Sequence, residues 1–134
     1  MSLHLLRPAV GATCLEDVES WFARTVEARV TIHTRRAPTR VAELLDGGSV
    51  YWVVKGQIRC RAPILAIEQA IYPETGEQAC RLTLQGPPVA VAPVAHRPFQ
   101  GWRYLEPAKA PPDLASAGDL PAALVAELRE LGLL

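Results

Sequence analysis

Residues that build metal sites and disulfide frameworks are scarce in this chain of 134 residues. It contains three cysteines, at positions 14, 60 and 80, and three histidines that stand far apart, at positions 4, 33 and 96. An odd number of cysteines with no Cys-x-x-Cys pair argues against a disulfide framework and against a zinc site. We therefore expect neither a metal nor another cofactor, and we expect Cys60 and Cys80 to be small buried core residues.

Long apolar runs and an N-terminal hydrophobic leader are also missing, so we expect a cytoplasmic protein without a membrane segment. The common catalytic motifs are missing as well, since the chain has no Gly-x-Ser-x-Gly and no His-Glu-x-x-His. The segment Asp46-Gly47-Gly48-Ser49 lacks the lysine of a phosphate-binding loop and precedes a predicted strand rather than a helix. Because no motif supports catalysis, we do not expect an enzyme.

An excess of charge of either sign is absent too, because 14 basic residues balance 14 acidic ones. Zero net charge argues against indiscriminate binding to nucleic acid or to an anionic membrane. The charge is unevenly spread, however. Between residues 29 and 61 seven basic side chains stand against Glu43 and Asp46, whereas residues 106–134 carry five acids against Lys109 and Arg129. The sequence thus combines a basic middle with an acidic tail.

Local patterns predict the order strand, helix, strand, short helix, about five strands and a last helix. Thr13-x-x-Glu16 has the form of a capping box, and Leu15, Val18, Phe22 and Val26 then recur at helical spacing. The glycines after Asp46 predict the end of the short helix. The predicted strands are residues 3–6, 29–34, 49–54, 57–68, 78–85, 89–94 and 99–105, and the helices begin at Thr13, at Pro38 or Thr39, and at Asp119.

This order of elements indicates an α+β fold, because the strands do not alternate with helices. Short strands joined by tight turns in a small chain predict a mixed, mostly antiparallel sheet that curls into a partly closed barrel. Helices flank this sheet, and a further helix follows at the C-terminus. We expect a single domain over residues 1–134, with the proline-rich linker and helix of residues 106–134 packed on it.

Arginines lie beside aromatic residues in a predicted hairpin around Lys55-Gly56. A two-residue turn there would place Trp52 opposite Arg59 and Val50 opposite Arg61. A bulged three-residue turn would instead bring Tyr51 beside Arg59. Both registers put an aromatic ring next to a guanidinium. Such a pair contributes about 0.5–1 kcal/mol when exposed, so it serves equally as a structural contact or as part of a binding surface.

A second cluster of the same kind runs from Arg97 to Tyr104, where Trp102 is a candidate stacking platform or a ring that closes the core. Aromatic rings interleaved with arginines are typical of surfaces that bind bases and phosphates of single-stranded nucleic acid. The candidate nucleic-acid-binding residues are therefore Arg35, Arg36, Arg40, Trp52, Arg59, Arg61, Trp102, Arg103 and Tyr104.

Two segments also carry a family resemblance. The sequences ELLDGGSVYWVVKG at 43–56 and RPFQGWRYL at 97–105, with Pro-Pro-Asp-Leu at 111–114, resemble an uncharacterised alphaproteobacterial family, domain-of-unknown-function family 1489. The resemblance spans essentially the whole chain and implies no activity. The layout of a helix, Asp-Gly-Gly and two strands is also similar to the PUA-like superfamily of PUA, ASCH and EVE domains. That similarity implies a pseudo-barrel that binds RNA or a modified base between a helix and the sheet.

Three functions remain open on this basis. The first is a module of PUA-like form that binds RNA or a modified base, with single-stranded nucleic acid as its partner. The second is a protein-interaction domain or homodimer, in which the helix of residues 119–131 docks on a partner or on a second copy. The third is a small-molecule binding protein or enzyme, whose buried pocket would join Glu43 or Glu68 to an arginine.

Overall fold

The structure, a computed structural model, describes residues 3–114 of the chain, without the side chain of Val26. The helix predicted from Asp119 and its packing on the domain lie outside the described residues. Strands in this range are β1 (His4–Pro8), β2 (Arg29–Thr34), β3 (Ser49–Val54), β4 (Gln57–Ile71), β5 (Gln78–Gln85), β6 (Val89–Ala95) and β7 (Arg103–Leu105). The α-helices are α1 (Leu15–Ala23) and α2 (Val41–Leu45), and short 3₁₀ turns cover Val26–Ala28 and Pro107–Lys109.

The seven strands form one mixed, mostly antiparallel sheet that does not close into a barrel. The strands lie in the order β2-β5-β4-β3-β1-β7, and β6 pairs with β4. β1 and β3 are parallel to each other, and the other pairs are antiparallel. The predicted α+β class with a mostly antiparallel sheet is therefore confirmed.

Strand β4 is the longest of the described elements and organises the sheet. Its first half pairs with β3 and β6, and its second half pairs with β5. A register shift between Ile64 and Ala66 separates the two halves. Pro63 is accommodated just before this irregularity, as expected for a proline within a strand. β4 extends to Ile71, three residues beyond the predicted end.

Other element ends also differ from the sequence prediction. The last strand begins at Arg103 rather than residue 99, because Gly101 adopts a left-handed backbone conformation with φ of +75°. Helix α1 takes Cys14 as its N-cap, so the residue at N3 is Asp17 rather than Glu16. The Asp17 carboxylate accepts hydrogen bonds from the Thr13 backbone N–H at 2.8 Å and from its hydroxyl at 3.0 Å.

The core has two layers, one on each face of β3. Helix α1 inserts Val18 and Phe22 into the larger layer, and Leu15 packs at its edge; Val26 is not among the described side chains. The larger layer also contains Trp52, Cys60, Leu82, Leu84 and Trp102. A smaller layer on the other face contains Leu6, Tyr51, Val53, Ile58, Val91 and Leu105. All six residues of β3 are consequently buried.

The glycines between α2 and β3 allow the chain to turn tightly. Gly47 adopts the left-handed conformation, with φ of +81°, as predicted for the residue that ends a helix. A methyl group at Gly48 would overlap the backbone carbonyl oxygens of Leu3 and Leu44. The helix, β1 and β3 therefore approach one another at a point where no side chain fits.

Within residues 3–114 no helix is long and apolar enough to cross a bilayer. The same residues contain no group of three or more histidine, cysteine and acidic side chains with the geometry to hold a metal ion.

Candidate functional site

A groove of about 500 Å³ lies where β1, the end of β2 and the segment before β7 meet. Three arginines line it: Arg7 from β1, and Arg35 and Arg36 from the loop that follows β2. Four aromatic or heteroaromatic rings line it as well, namely His33, Tyr72, Phe99 and Trp102. Among the described residues no carboxylate lines the groove. The arrangement is strongly cationic, and the rings supply flat apolar surfaces beside the cations.

Arg7 is the half-buried cation of the groove. One guanidinium nitrogen donates a long hydrogen bond, at 3.5 Å, to the backbone carbonyl of His33. Burial lowers the pKa of Arg7, with a smaller opposing effect from Tyr72. Arginine starts so far above neutral pH that it keeps its proton. The side chain therefore carries a partly desolvated positive charge into the groove.

Arg36 and Trp102 hold each other in place across the gap between the two ends of the sheet. The Arg36 guanidinium lies 4.1 Å from the centre of the Trp102 ring and donates to the Trp102 carbonyl at 2.9 Å. The indole Nε1–H of Trp102 donates in return to the Arg36 carbonyl at 2.8 Å. The same carbonyl accepts from the Thr34 hydroxyl at 3.0 Å. These contacts fix the position of the guanidinium before any ligand arrives.

The remaining rings stand at the sides of the groove. The rings of His33 and Tyr72 have centroids 5.9 Å apart and are tilted to each other. The guanidinium of Arg103, which is exposed, lies 5.2 Å from the Phe99 ring centre. Tyr72 and Phe99 are both half-buried, so each ring presents part of its surface to the solvent.

Tyr104 and Arg40, two further predicted residues, lie beside the groove rather than in it. The Tyr104 ring meets the Trp102 ring edge-on at 5.0 Å. Its hydroxyl accepts the backbone N–H groups of Thr39 and Arg40, at 2.9 and 3.3 Å. The Arg40 guanidinium donates to the Glu43 carboxylate, with Nε at 3.0 Å. Tyr104 thus fastens the loop after β2 to β7, and the charge of Arg40 is already neutralised.

The hairpin of β3 and β4 does not contribute the surface that was expected from it. Its register starts with Val54 opposite Gln57, as a two-residue turn requires, and then shifts at Arg59. Trp52 consequently lies opposite Cys60, and Tyr51 lies opposite Arg61. Neither of the two predicted registers holds beyond this bulge. Trp52 is 3% exposed and belongs to the core.

The arginines of the hairpin lie on other parts of the surface. Arg59 lies close enough to Glu16 of α1 to help lower the pKa of that exposed carboxyl, after the larger effects of hydrogen bonds within the first helical turn. Arg61 binds Asp113 through two hydrogen bonds, at 2.8 and 2.7 Å, and donates to the Ser49 hydroxyl at 2.9 Å. Arg61 therefore attaches the segment after β7 to the hairpin.

Glu43 and Glu68 do not form the buried pocket with an arginine that a small-molecule site was expected to have. Glu43 pairs with Arg40, and Glu68 lies 3.5 Å from Arg81. The side chain of Glu43 is 38% exposed and that of Glu68 is 52% exposed. Both ion pairs are therefore open to water.

The structure thus brings Arg35, Arg36 and Trp102 together and places the other predicted residues elsewhere or alongside. Sequence reasoning missed Arg7, His33 and Tyr72, which come from three separate parts of the chain. Local patterns carry no signal for them, because each looks like an ordinary strand or turn residue until the sheet is assembled.

Comparison with known proteins gives a family and no activity. The family model described as "Protein of unknown function (DUF1489)" matches residues 5–134. No curated protein and no solved structure matches the chain. The matched range includes both resemblance segments, residues 43–56 and 97–105, and spans nearly the whole sequence. The chain therefore belongs to the DUF1489 family.

Proposed function

We propose that the protein binds single-stranded RNA and that the groove takes one nucleotide unit of the strand. Arg7, Arg35 and Arg36 contact the phosphate, and the base lies against the exposed surfaces of Tyr72 and Phe99. The observation that carries the proposal is the lining itself: three arginines and four rings share one groove with no carboxylate among the described lining residues. Cations bind the phosphates of a single strand, and flat rings stack on its bases, so this combination suits single-stranded nucleic acid.

No ion pair within the described residues involves the three arginines of the groove, which supports an external anion for them. Arg29, Arg40, Arg61 and Arg81 each lie within ion-pair distance of an acidic side chain. A charge that is half-buried without such a counterion costs free energy, which a bound anion recovers. A guanidinium also presents donors in a planar fork that matches two phosphate oxygens. A phosphate in the groove would therefore stabilise the protein.

The size of the groove supports a small unit of nucleic acid. Its volume of about 500 Å³ lies inside the range of roughly 300–1,000 Å³ that is typical of small-ligand sites. A double helix cannot enter such a space, whereas an unpaired nucleotide can. A modified base in a strand fits the same description, and cytoplasmic RNA is the partner class we propose.

We further infer that the curled sheet is a variant of the PUA-like pseudo-barrel. Three features support this relation: the parallel pair of β1 and β3, the mostly antiparallel remainder, and the contacts of Arg36 with Trp102 between the two ends of the sheet. The proposed site lies at this junction and not between a helix and the sheet. A solved structure of a family member with bound RNA would test the relation directly.

Fluorescence anisotropy with short labelled RNA, at low and at physiological salt, tests the function. We expect the wild-type protein to bind and Arg35→Gln to bind at least about tenfold more weakly, since a charged hydrogen bond is worth about 1.5–3 kcal/mol. Arg35 is exposed, so its replacement leaves the fold intact. Arg24→Gln is the matched control, because Arg24 is an exposed arginine at the end of α1, outside the groove lining.

Two results would contradict the proposal. Absence of binding to RNA at low salt would remove the function altogether. Equal affinities of Arg35→Gln and Arg24→Gln would show that RNA binds elsewhere on the protein.

A further inference from the structure

The three arginines of the groove are not equivalent. Arg35 and Arg36 are exposed, whereas Arg7 is half-buried. A guanidinium has five N–H donors, and Arg7 uses one in a long bond to the His33 carbonyl. The other donors of Arg7 form no further hydrogen bond with the described residues. The deepest cation of the groove therefore keeps most of its donors for an anion.

The surroundings of the groove are asymmetric as well. Arg35 also lines a second hollow of about 640 Å³, which is bordered by Gln69, Gln78 and Arg81. Amide and guanidinium groups of this kind can bind the sugar and phosphate of a nucleotide. Arg81 lies 3.5 Å from Glu68 in an exposed ion pair, and its guanidinium has five N–H donors. A strand that leaves the groove past Arg35 therefore meets a polar path.

The opposite side of the groove offers much less. A hollow of about 210 Å³ beyond Phe99 is lined mainly by Pro8, Ala9, Val53 and Pro98, with Lys55 as the cation in that lining. This small, mostly apolar space has few groups for a phosphate. The polar continuation of the groove thus runs in one direction.

Resting on the proposed function, we infer that the groove binds the phosphorylated end of an RNA strand. The terminal phosphate monoester is held by Arg7, Arg35 and Arg36, and the strand continues past Arg35 into the hollow beside Gln69 and Gln78. A phosphate monoester carries nearly two negative charges and three acceptor oxygens. A phosphodiester inside the strand carries one charge and has two free oxygens. Three guanidinium groups in one groove match the monoester better.

Binding of three RNA probes of one sequence tests this inference. The probes carry a 5′-phosphate, a 3′-phosphate or no terminal phosphate, and adenosine monophosphate and inorganic phosphate serve as competitors. We expect one phosphorylated probe to bind about tenfold more tightly than the unphosphorylated probe, as an added charge-assisted contact requires. We expect Arg7→Gln to bring that ratio close to one, and Arg24→Gln to preserve it.

Arg35→Gln serves as a second variant, since replacing the half-buried Arg7 also affects stability. Arg35→Gln should lower the ratio of affinities for phosphorylated and unphosphorylated RNA, while its thermal unfolding matches that of the wild-type protein. Arg81→Gln should weaken binding of the RNA probes more than binding of adenosine monophosphate, because a mononucleotide does not reach the second hollow.

The outcomes separate the two proposals. Equal affinity for all three probes would overturn the end-binding inference and leave RNA binding in place. No binding of any probe would overturn both. If adenosine monophosphate competes as well as phosphorylated RNA, the end-binding inference is wrong and the ligand is a free nucleotide.

Discussion

Trp52 illustrates how one residue can look functional in the sequence and be structural in the fold. It follows Tyr51 in a strand that leads to two arginines, which suggested a stacking surface. In the structure its ring packs into the core, where it meets Trp21 edge-on with centroids 6.1 Å apart. Because the indole is almost fully buried, a base cannot reach it without opening the core.

We predict that Trp52→Ala destabilises the protein by about 3–5 kcal/mol, since it leaves a large cavity in the core. Chemical denaturation measures this loss of unfolding free energy. Trp21→Ala is the control, because Trp21 is only partly buried and should cost less. A Trp52→Ala protein of normal stability that no longer binds RNA would restore Trp52 as a binding residue.

Cysteine reactivity gives a second prediction at this scale. Burial raises the pKa of Cys60 to about 12 and raises that of Cys80 as well. The thiolate is the reactive form, so neither residue should react with iodoacetamide in the folded protein at about pH 8.5. Cys14 is partly exposed and should be modified first. Mass spectrometry of tryptic peptides before and after denaturation distinguishes the three, and early modification of Cys60 would contradict its buried position.

At the scale of elements, the segment after β7 binds to the hairpin of β3 and β4 and to β6. Arg61 binds Asp113, the Asp113 backbone forms a bridge with Val91, and the Ala92 N–H donates to the Pro112 carbonyl at 2.9 Å. The ion pair is partly buried, with side-chain exposures of 24% for Arg61 and 33% for Asp113. These contacts position Pro112 and Asp113 against β4 and β6.

The ion pair between Arg61 and Asp113 predicts how the stability of the protein depends on pH. Hydrogen bonds from Arg61 hold the pKa of Asp113 below its ordinary value of 3.8. A depressed folded-state pKa means that the carboxylate stabilises the fold fully above 3.8, and that this contribution disappears as the pH falls through the folded-state value. Asp113→Asn should therefore lower the free energy of unfolding by about 1–2 kcal/mol at neutral pH. The loss should become progressively smaller as the pH falls below the ordinary pKa of the carboxyl.

Urea denaturation of wild type and Asp113→Asn at several pH values measures this difference. Glu74→Gln is the control, since Glu74 is exposed in the turn between β4 and β5. A difference between wild type and Asp113→Asn that persists unchanged in acid would contradict the role of the charge.

The distribution of charge matters at the scale of the whole molecule. Net charge is zero, yet the groove collects three arginines with no carboxylate among the described lining residues. Local rather than total charge should therefore govern binding. For a single strand, each phosphate that the protein neutralises adds about −0.7 to the slope of log affinity plotted against log salt concentration.

We predict a slope of about −0.7 for RNA, because the three arginines of the groove contact one phosphate. Arg35→Gln should reduce its magnitude, and Arg24→Gln should leave it unchanged. Anisotropy titrations at several salt concentrations provide the slopes. A slope near zero would show that the arginines of the groove do not contact phosphate.

Much of the fold could be predicted from sequence because its causes are local. Alternating residues define β2 and β5, a run of strongly β-forming residues defines β3, and Gly47 ends α2 because a helix needs a left-handed residue there. The missing alternation of strands and helices predicted the α+β class. The motifs at 43–56 and 97–105 were sufficient for the family, since they are contiguous in the chain.

The groove could not be predicted in the same way, because its cause is tertiary. Arg7, Tyr72 and Trp102 come from distant parts of the sequence and meet only in the folded sheet. The bulge at Arg59 and the burial of both faces of β3 depend on the neighbours of that strand. The sequence by itself determined the elements and the family, because local propensities and contiguous motifs specify them. Only the tertiary structure decided which arginines and rings share a site, because that depends on contacts between residues far apart in the chain.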